Sequence, residues 1–386
     1  MIRRDAANEL DRCAAEYPAV TILGPRQSGK TTLARMGFPN KPWVSLEDPD
    51  IRLAAELDPR GFLSQFERGA ILDEIQRLPT LLSYLQGMID QSPENGRFIL
   101  TGSHQPELHN AISQSLAGRT AVITLWPFSV PEIKHYLPQP DPFELIVRGT
   151  YPRVHDQSLE PRRFYNAYLQ TYVERDVRDL IQLKNLTAFQ KFLTLLAGRI
   201  GQVLNLSSLA NDVGLSSTTL RQWISVLKAT YLVFELNPWF ENISKRVVKS
   251  PKLYFGDVGL AAFLLGIQTA DQAARDPLRG NLYENLIVAD VMRRLCNSGK
   301  RPDLHFFRDS HGNEVDLLIR EGRSLIAVEI KSASTFSTDF LKGLNNFNAL
   351  VGSQVHQGLV LFNGEHRHAV KGVQVLNPLS HSDWID

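Results

Sequence analysis

At 386 residues the chain exceeds what one hydrophobic core serves, so about two to four domains are expected. Its composition is globular, with 43% hydrophobic and 22% charged residues, and 42 Lys and Arg against 41 Asp and Glu leave no global field that would announce a polynucleotide or a membrane. Cys13 and Cys296 stand too far apart to form a disulfide framework or a metal spacing, no apolar run approaches ~18 residues, and no secretory pattern opens the chain; a cytoplasmic protein without a membrane partner is expected.

A helical pattern over 4–17 comes first. The apolar run Ala19-Val20-Thr21-Ile22-Leu23 then leads into Gly24-Pro25-Arg26-Gln27-Ser28-Gly29-Lys30-Thr31-Thr32. This is strand, loop and helix opening, and residues 24–31 fit G-x-x-x-x-G-K-[ST]. In that loop N–H groups wrap phosphate oxygens, the lysine reaches the β- and γ-phosphates, and the hydroxyl sits on Mg²⁺. Residues 24–32 are the expected nucleotide site, with ATP and Mg²⁺ as ligands. Gly24 and Gly29 supply the backbone freedom, and the helix starting near Lys30 points its positive end at the anion.

Further runs at 43–46, 70–72, 98–101 and 121–125 alternate with helical patterns, which predicts a parallel α/β sheet with its ligand at the carboxyl ends of the strands. The third run ends in Asp73-Glu74. Asp73 would hold Mg²⁺ with Thr31 and Glu74 would orient the attacking water, although an acidic pair after a strand also suits a plain helix start. The fourth run ends in Thr101-Gly102-Ser103-His104, and Arg119 precedes the fifth.

Here the chain resembles the AAA-type ATPases. The resemblance makes Ser103 the polar sensor of the γ-phosphate, with His104 second. It makes Arg119 a finger reaching into a neighbouring subunit, which implies a homo-oligomer; a helix-terminal arginine facing its own dipole is the structural alternative. More closely, the loop 24–31, Leu72-Asp73-Glu74-Ile75-Gln76, Thr101-Gly102-Ser103, Leu116-Ala117-Gly118-Arg119, Pro127-Phe128-Ser129, Arg148-Gly149-Thr150-Tyr151-Pro152 and Tyr172-Val173-Glu174-Arg175-Asp176-Val177 resemble a prokaryotic ATPase group. In that group an AAA-type domain precedes the domain of unknown function 4143. The resemblance implies an ATPase and supplies no substrate. Gly149-Thr150-Tyr151-Pro152 also resembles the Gly-x-Pro turn by which signalling relatives sense the base, while a plain turn accounts for it equally.

Residues 162–183 read as a helix with Phe164, Tyr168, Val173, Val177, Leu180 and Ile181 as its apolar stripe. Glu174, Arg175, Asp176 and Arg178 form either a solvated face or, through Arg175, a nucleotide-sensing lid. From Leu206 two short helical patterns flank Gly214 with helix-turn-helix spacing, and a strand and a basic hairpin follow. That is the layout of a winged helix, with Arg221 and Lys228 on its second helix and Lys245, Arg246, Lys249 and Lys252 on the wing for phosphates. Such modules also bind proteins.

Near the carboxyl end, Glu314-Val315-Asp316-Leu317-Leu318-Ile319 and Leu325-Ile326-Ala327-Val328-Glu329-Ile330-Lys331 alternate as strands around a Gly322-Arg323 loop of the II′ kind. The register sets Asp316 opposite Glu329 and Glu314 opposite Lys331, all four on one polar face. Facing carboxylates repel unless a positive charge lies between them, and a divalent cation on Asp316 and Glu329 would supply it. The set resembles the PD-(D/E)xK nuclease core, with Glu284 from a preceding helix, Asp316, and Glu329-Ile330-Lys331 as E-x-K, and with Val315 where the name pattern has proline. A surface hairpin with a Glu314–Lys331 pair is the structural alternative.

The expected fold class is therefore α/β: a P-loop ATPase domain at 1–155, a helical lid at 156–200, a winged-helix-like domain at 201–275 and a nuclease-like domain at 276–386. The expected function is Mg²⁺-dependent ATP hydrolysis by a protein that binds nucleic acid, DNA before RNA, through its winged helix and nuclease-like domain, with metal-dependent strand cleavage by Glu284, Asp316, Glu329 and Lys331 as what the nuclease resemblance implies. The competing reading is an ATP-switched scaffold that binds a protein and keeps an inactive nuclease-like core.

Overall fold

The computed structural model describes residues 3–103, 106–172, 185–239 and 248–385. His104, Glu174, Arg175, Asp176, Arg178, Lys245 and Arg246, and the helical stripe beyond residue 172, lie outside them. The chain divides into two compact units, one made of Met1–Phe128, Ala229–Tyr231 and Arg293–Lys300, the other of Ser129–Lys228, Leu232–Met292 and Arg301–Asp386.

The first unit is built on β1 (Ala19–Gly24), β2 (Trp43–Ser45), β3 (Ile71–Asp73), β4 (Phe98–Ser103) and β5 (Thr120–Thr124). They form one sheet in the order β2-β3-β4-β1-β5, and every neighbouring pair is parallel. Because side chains alternate across a strand, Ala19, Leu23, Leu72, Phe98 and Leu100 pack into one core with Leu81, Leu82, Leu85 and Ile89 of the helix Leu81–Gln91. Val20, Ile22, Ile71 and Ile99 pack into another with Leu10, Cys13 and Ala14 of the helix Ala7–Glu16. Both faces being covered, the strands read as continuous apolar runs, as buried parallel strands do. Cutting Leu85 to alanine in such a core costs about 2–5 kcal/mol.

In the second unit the helices Leu206–Val213 and Ser217–Ala229 are separated by Gly214, whose φ of 84° is the left-handed conformation that ends the first helix without a Cβ clash. Leu209, Val213, Leu220, Ile224 and Leu227 are buried, and Trp223 meets Phe189 and Phe192 edge-on at 5.2 and 5.3 Å. The hairpin that follows, β6 (Val233–Pro238) with β7 (Lys252–Phe255), does not stand alone. β6 also pairs in parallel with β8 (Leu304–Arg308), which pairs with β9 (Glu314–Glu321), and β9 with β10 (Ser324–Lys331). With β11 (Val355–Phe362), β12 (His368–Val370) and β13 (Val373–Leu376) they make an eight-stranded sheet, ordered β12-β13-β11-β10-β9-β8-β6-β7. The β9–β10 hairpin turns at Glu321 and Ser324, with positive φ at Gly322 as a II′ turn requires. Val315, Leu317, Leu318 and Ile319 are all buried, so β9 is covered on both faces and the expected division into a polar and an apolar face does not hold. Among the described residues no helix is long and apolar enough to cross a membrane.

Candidate functional site

The phosphate loop joins β1 to the helix Lys30–Gly37. Gly24 has no room for a side chain, since a Cβ there would stand 2.1 Å from the Leu125 carbonyl oxygen, and Gly29, at φ 93°, turns the chain into the helix. The Lys30 ammonium is buried beneath the loop and donates to the carbonyl oxygens of Gly24 at 3.2 Å and Pro25 at 2.8 Å. Burial lowers its pKa to about 8, against the opposing pull of Glu74 and Asp73.

Thr31 Oγ1 donates to Asp73 Oδ1 at 2.8 Å, which joins the first turn of that helix to the carboxyl end of β3. Thr101 Oγ1, from β4, donates to the same oxygen and accepts the Glu74 backbone N–H at 3.4 Å. Glu74 adopts a left-handed conformation, φ 56°, uncommon without a glycine, and Gln76 Nε2 donates to its Oε2. Ser103, at the end of β4 opposite Gly24, is buried, and its hydroxyl has no hydrogen-bond partner among the described residues; the same is true of Ser28. These groups meet at the carboxyl ends of β1, β3 and β4.

Arg119 is not among them. It precedes β5, at the amino end of the parallel sheet, and donates to both carboxylate oxygens of Asp90 at 2.6 and 3.0 Å. An arginine that the sequence did not single out does reach the loop. Arg4 is buried, and its guanidinium donates to Ser28 O at 2.7 Å and Trp126 O at 2.8 Å, over the Phe128 ring. Thr101 and Gln76 were likewise visible only as parts of motifs; no periodicity marks them as ligands of Asp73 and Glu74.

The second charged cluster lies wholly within the second unit. The β9–β10 ladder runs from Ser324 with Glu321 to Val328 with Leu317, and that register brings Asp316 beside Glu329. There it opens: the Ile330 N–H turns to Asp316 Oδ2 at 2.8 Å instead of a backbone carbonyl. Lys331 Nζ lies between the two acids, 3.4 Å from Asp316 and 2.5 Å from Glu329. The Glu314–Lys331 pair of the structural alternative does not form among the described residues. Glu314 binds Arg308, its ladder partner on β8, at 3.4 Å and Lys252 at 2.6 Å.

Lys252 corrects a second expectation. It is no wing cation facing phosphates, because it is 2% exposed and its ammonium bridges Glu284 at 2.8 Å and Glu314, passing the Phe306 ring at 5.5 Å. Of the other wing and helix cations, Lys228 is ion-paired with Glu235, and Arg221 and Lys249 are exposed. Tyr254 OH donates to Glu284 at 2.5 Å, so two polar positions of β7 point at one carboxylate from the helix Arg279–Asn297. Burial raises the Glu284 pKa to about 7 against the pull of Lys252, and burial with the Asp316 charge raises Glu329 to about 8. Among the described residues no group of three or more His, Cys, Asp or Glu side chains is placed to hold a metal ion.

The turn at Gly149-Thr150-Tyr151-Pro152 is pinned as well. Asp257, which caps the helix Val258–Leu264, accepts from Thr150 N and Oγ1 at 2.7 Å each and from Tyr165 OH at 2.5 Å. Gly149 has φ 67°, and a Cβ on it would lie 1.7 Å from the Tyr165 hydroxyl.

A family model described as an AAA domain matches residues 16–134, one described as domain of unknown function 8612 matches 139–271, and one described as domain of unknown function 4143 matches 279–381. The chain is 31% identical over 382 residues to the uncharacterised protein Rv2008c of Mycobacterium tuberculosis, an alignment covering 97% of this chain and 83% of that protein. With the uncharacterised protein MJ1637 of Methanocaldococcus jannaschii it shares 26% identity over 210 residues, 53% of this chain and 42% of the other. Among solved structures, the Walker-type ATPase PABY2304 of Pyrococcus abyssi superposes with a TM-score of 0.46 at 18% identity, over 68% of this chain and 95% of that one. The chain thus belongs, with Rv2008c, to the P-loop ATPase family in which an AAA domain is joined to a carboxyl-terminal domain of unknown function 4143.

Proposed function

We propose that the protein hydrolyses ATP with Mg²⁺ and uses the nucleotide as a switch on a partner bound by its second unit. The observation that carries the reading is the Thr31 hydroxyl set 2.8 Å from the Asp73 carboxylate, beside a buried Lys30 whose hydrogen-bond partners among the described residues are carbonyl oxygens. A hydroxyl and a carboxylate are hard oxygen donors, and together with substrate phosphates they suit Mg²⁺. The ion would neutralise charge on the β- and γ-phosphates. The chain's own part is to exchange the carbonyl partners of Lys30 for phosphate oxygens and to offer the unpartnered Ser103 hydroxyl beside them. Glu74, fixed by Gln76, would orient the attacking water. Arg119 serves as a finger only if its pair with Asp90 opens towards a second subunit.

For the partner, Arg221 and Lys249 support nucleic acid, with Lys245 and Arg246 close to Lys249 in sequence. One observation favours a protein instead: Lys252 and Lys228 are already spent on carboxylates. In that reading the nuclease-like core is inactive. ATP hydrolysis measured with single-stranded, duplex and branched DNA and RNA over a salt series separates the two. Stimulation by one form that fades steeply with salt selects nucleic acid, since phosphate contacts release counterions. Turnover indifferent to every form selects the protein partner, and no turnover at all sinks both.

A further inference from the structure

We infer that the ammonium groups of Lys252 and Lys331 are the cations around which the carboxylate core of the second unit is built, and that this core closes without a divalent metal ion. Facing carboxylates need a positive charge between them, and two such positions are filled by lysines. Lys252 stands between Glu284 and Glu314, and Lys331 between Asp316 and Glu329. One oxygen of each acid beside a lysine is already held. Glu284 Oε1 receives Lys252 and Tyr254, and Asp316 Oδ2 receives the Ile330 N–H and Lys331. Glu329 Oε2 is buried without a hydrogen-bond partner among the described residues, and among them no group of three or more acidic, His or Cys side chains is placed to hold a metal ion.

Lys252 has no path to withdraw. It is 2% exposed, it is held in the β7 ladder opposite Leu236, and just beyond β7 the chain is tied by Asp257 to Thr150 and Tyr165. The lysines, together with Arg308 on Glu314, set three positive charges against the four acids.

The test uses the full chain free of nucleotide. Mn²⁺ binding is followed by its paramagnetic resonance in wild type and Asp316→Asn, and melting is recorded with Mn²⁺ and with EDTA. The expected result is no Asp316-dependent Mn²⁺ site at millimolar metal and a melting curve indifferent to both additions. A wild-type Mn²⁺ site that Asp316→Asn removes overturns the inference. Lys252→Met is expected to lower the melting temperature of the second unit by about 10 °C, because it leaves the buried Glu284 carboxylate without its cation and Glu314 with Arg308 alone. Adding Glu284→Gln and Glu314→Gln should recover most of that loss. A Lys252→Met protein that melts like wild type also overturns it, and if the single variant does not fold, the wild-type metal titration still decides.

Discussion

Lys30 in the first unit and Lys252 in the second are both buried beside carboxylates, and they are held in opposite ways. Among the described residues Lys30 donates to the carbonyl oxygens of its own loop alone, and burial leaves its pKa lowered to about 8. Lys252 touches Glu284 and Glu314; burial works to lower its pKa as well, but those charges carry it well above the ordinary value, and Lys331 between Asp316 and Glu329 follows it. A buried ammonium with neutral partners has unspent attraction for an anion from outside. One already between carboxylates has none to offer, so two clusters of similar composition mark a binding site in one case and an ion-paired core in the other.

The comparison breaks most visibly through the lysines themselves. Lys30→Ala should reduce ATP hydrolysis by about 10²–10³-fold while leaving melting and circular dichroism unchanged, the reverse of what Lys252→Met does. Undiminished turnover in purified Lys30→Ala would remove the ATPase reading. The pH profile sharpens the contrast. Lys30 must carry its proton to meet phosphate, and bound phosphate raises its pKa, so nucleotide affinity should be flat below pH 8 and fall by up to about tenfold per unit above it. Calorimetric titration between pH 7 and 9.5 checks this, and an affinity constant across that range speaks against a pKa near 8. The smallest effect is expected at Thr101. Thr101→Val removes one donor from Asp73, worth about 1 kcal/mol, and should slow turnover about fivefold with the fold intact. No change in turnover would mean that Thr31 alone is enough to hold Asp73.

What the sequence displayed was set by local chemistry. The loop 24–31 is legible because one strand, one turn and one helix make it, and the β9–β10 hairpin because its two strands are contiguous around Gly322. The place of Lys252 is not legible, for the complementary reason. In sequence it belongs to a run of cations after β6, and only the pairing of β6 with both β7 and β8 carries it to Glu284 and Glu314, 32 and 62 positions downstream. Arg4 was silent for the same cause, its partners lying 24 and 122 residues away. Period and motif report neighbours along the chain, and both misses are contacts made by sheet order.

Arg4 has a consequence for how the nucleotide site comes into being. Its guanidinium ties the loop carbonyl of Ser28 to the carbonyl of Trp126, just past β5, and β1 lies between β4 and β5 in the finished sheet. The phosphate loop is therefore complete only after about the first third of the chain has emerged and the last strand of its sheet has docked. During synthesis, nucleotide could first act as a folding ligand at that moment, drawing the closed sheet out of its unfinished forms by binding the one state in which the loop is clamped.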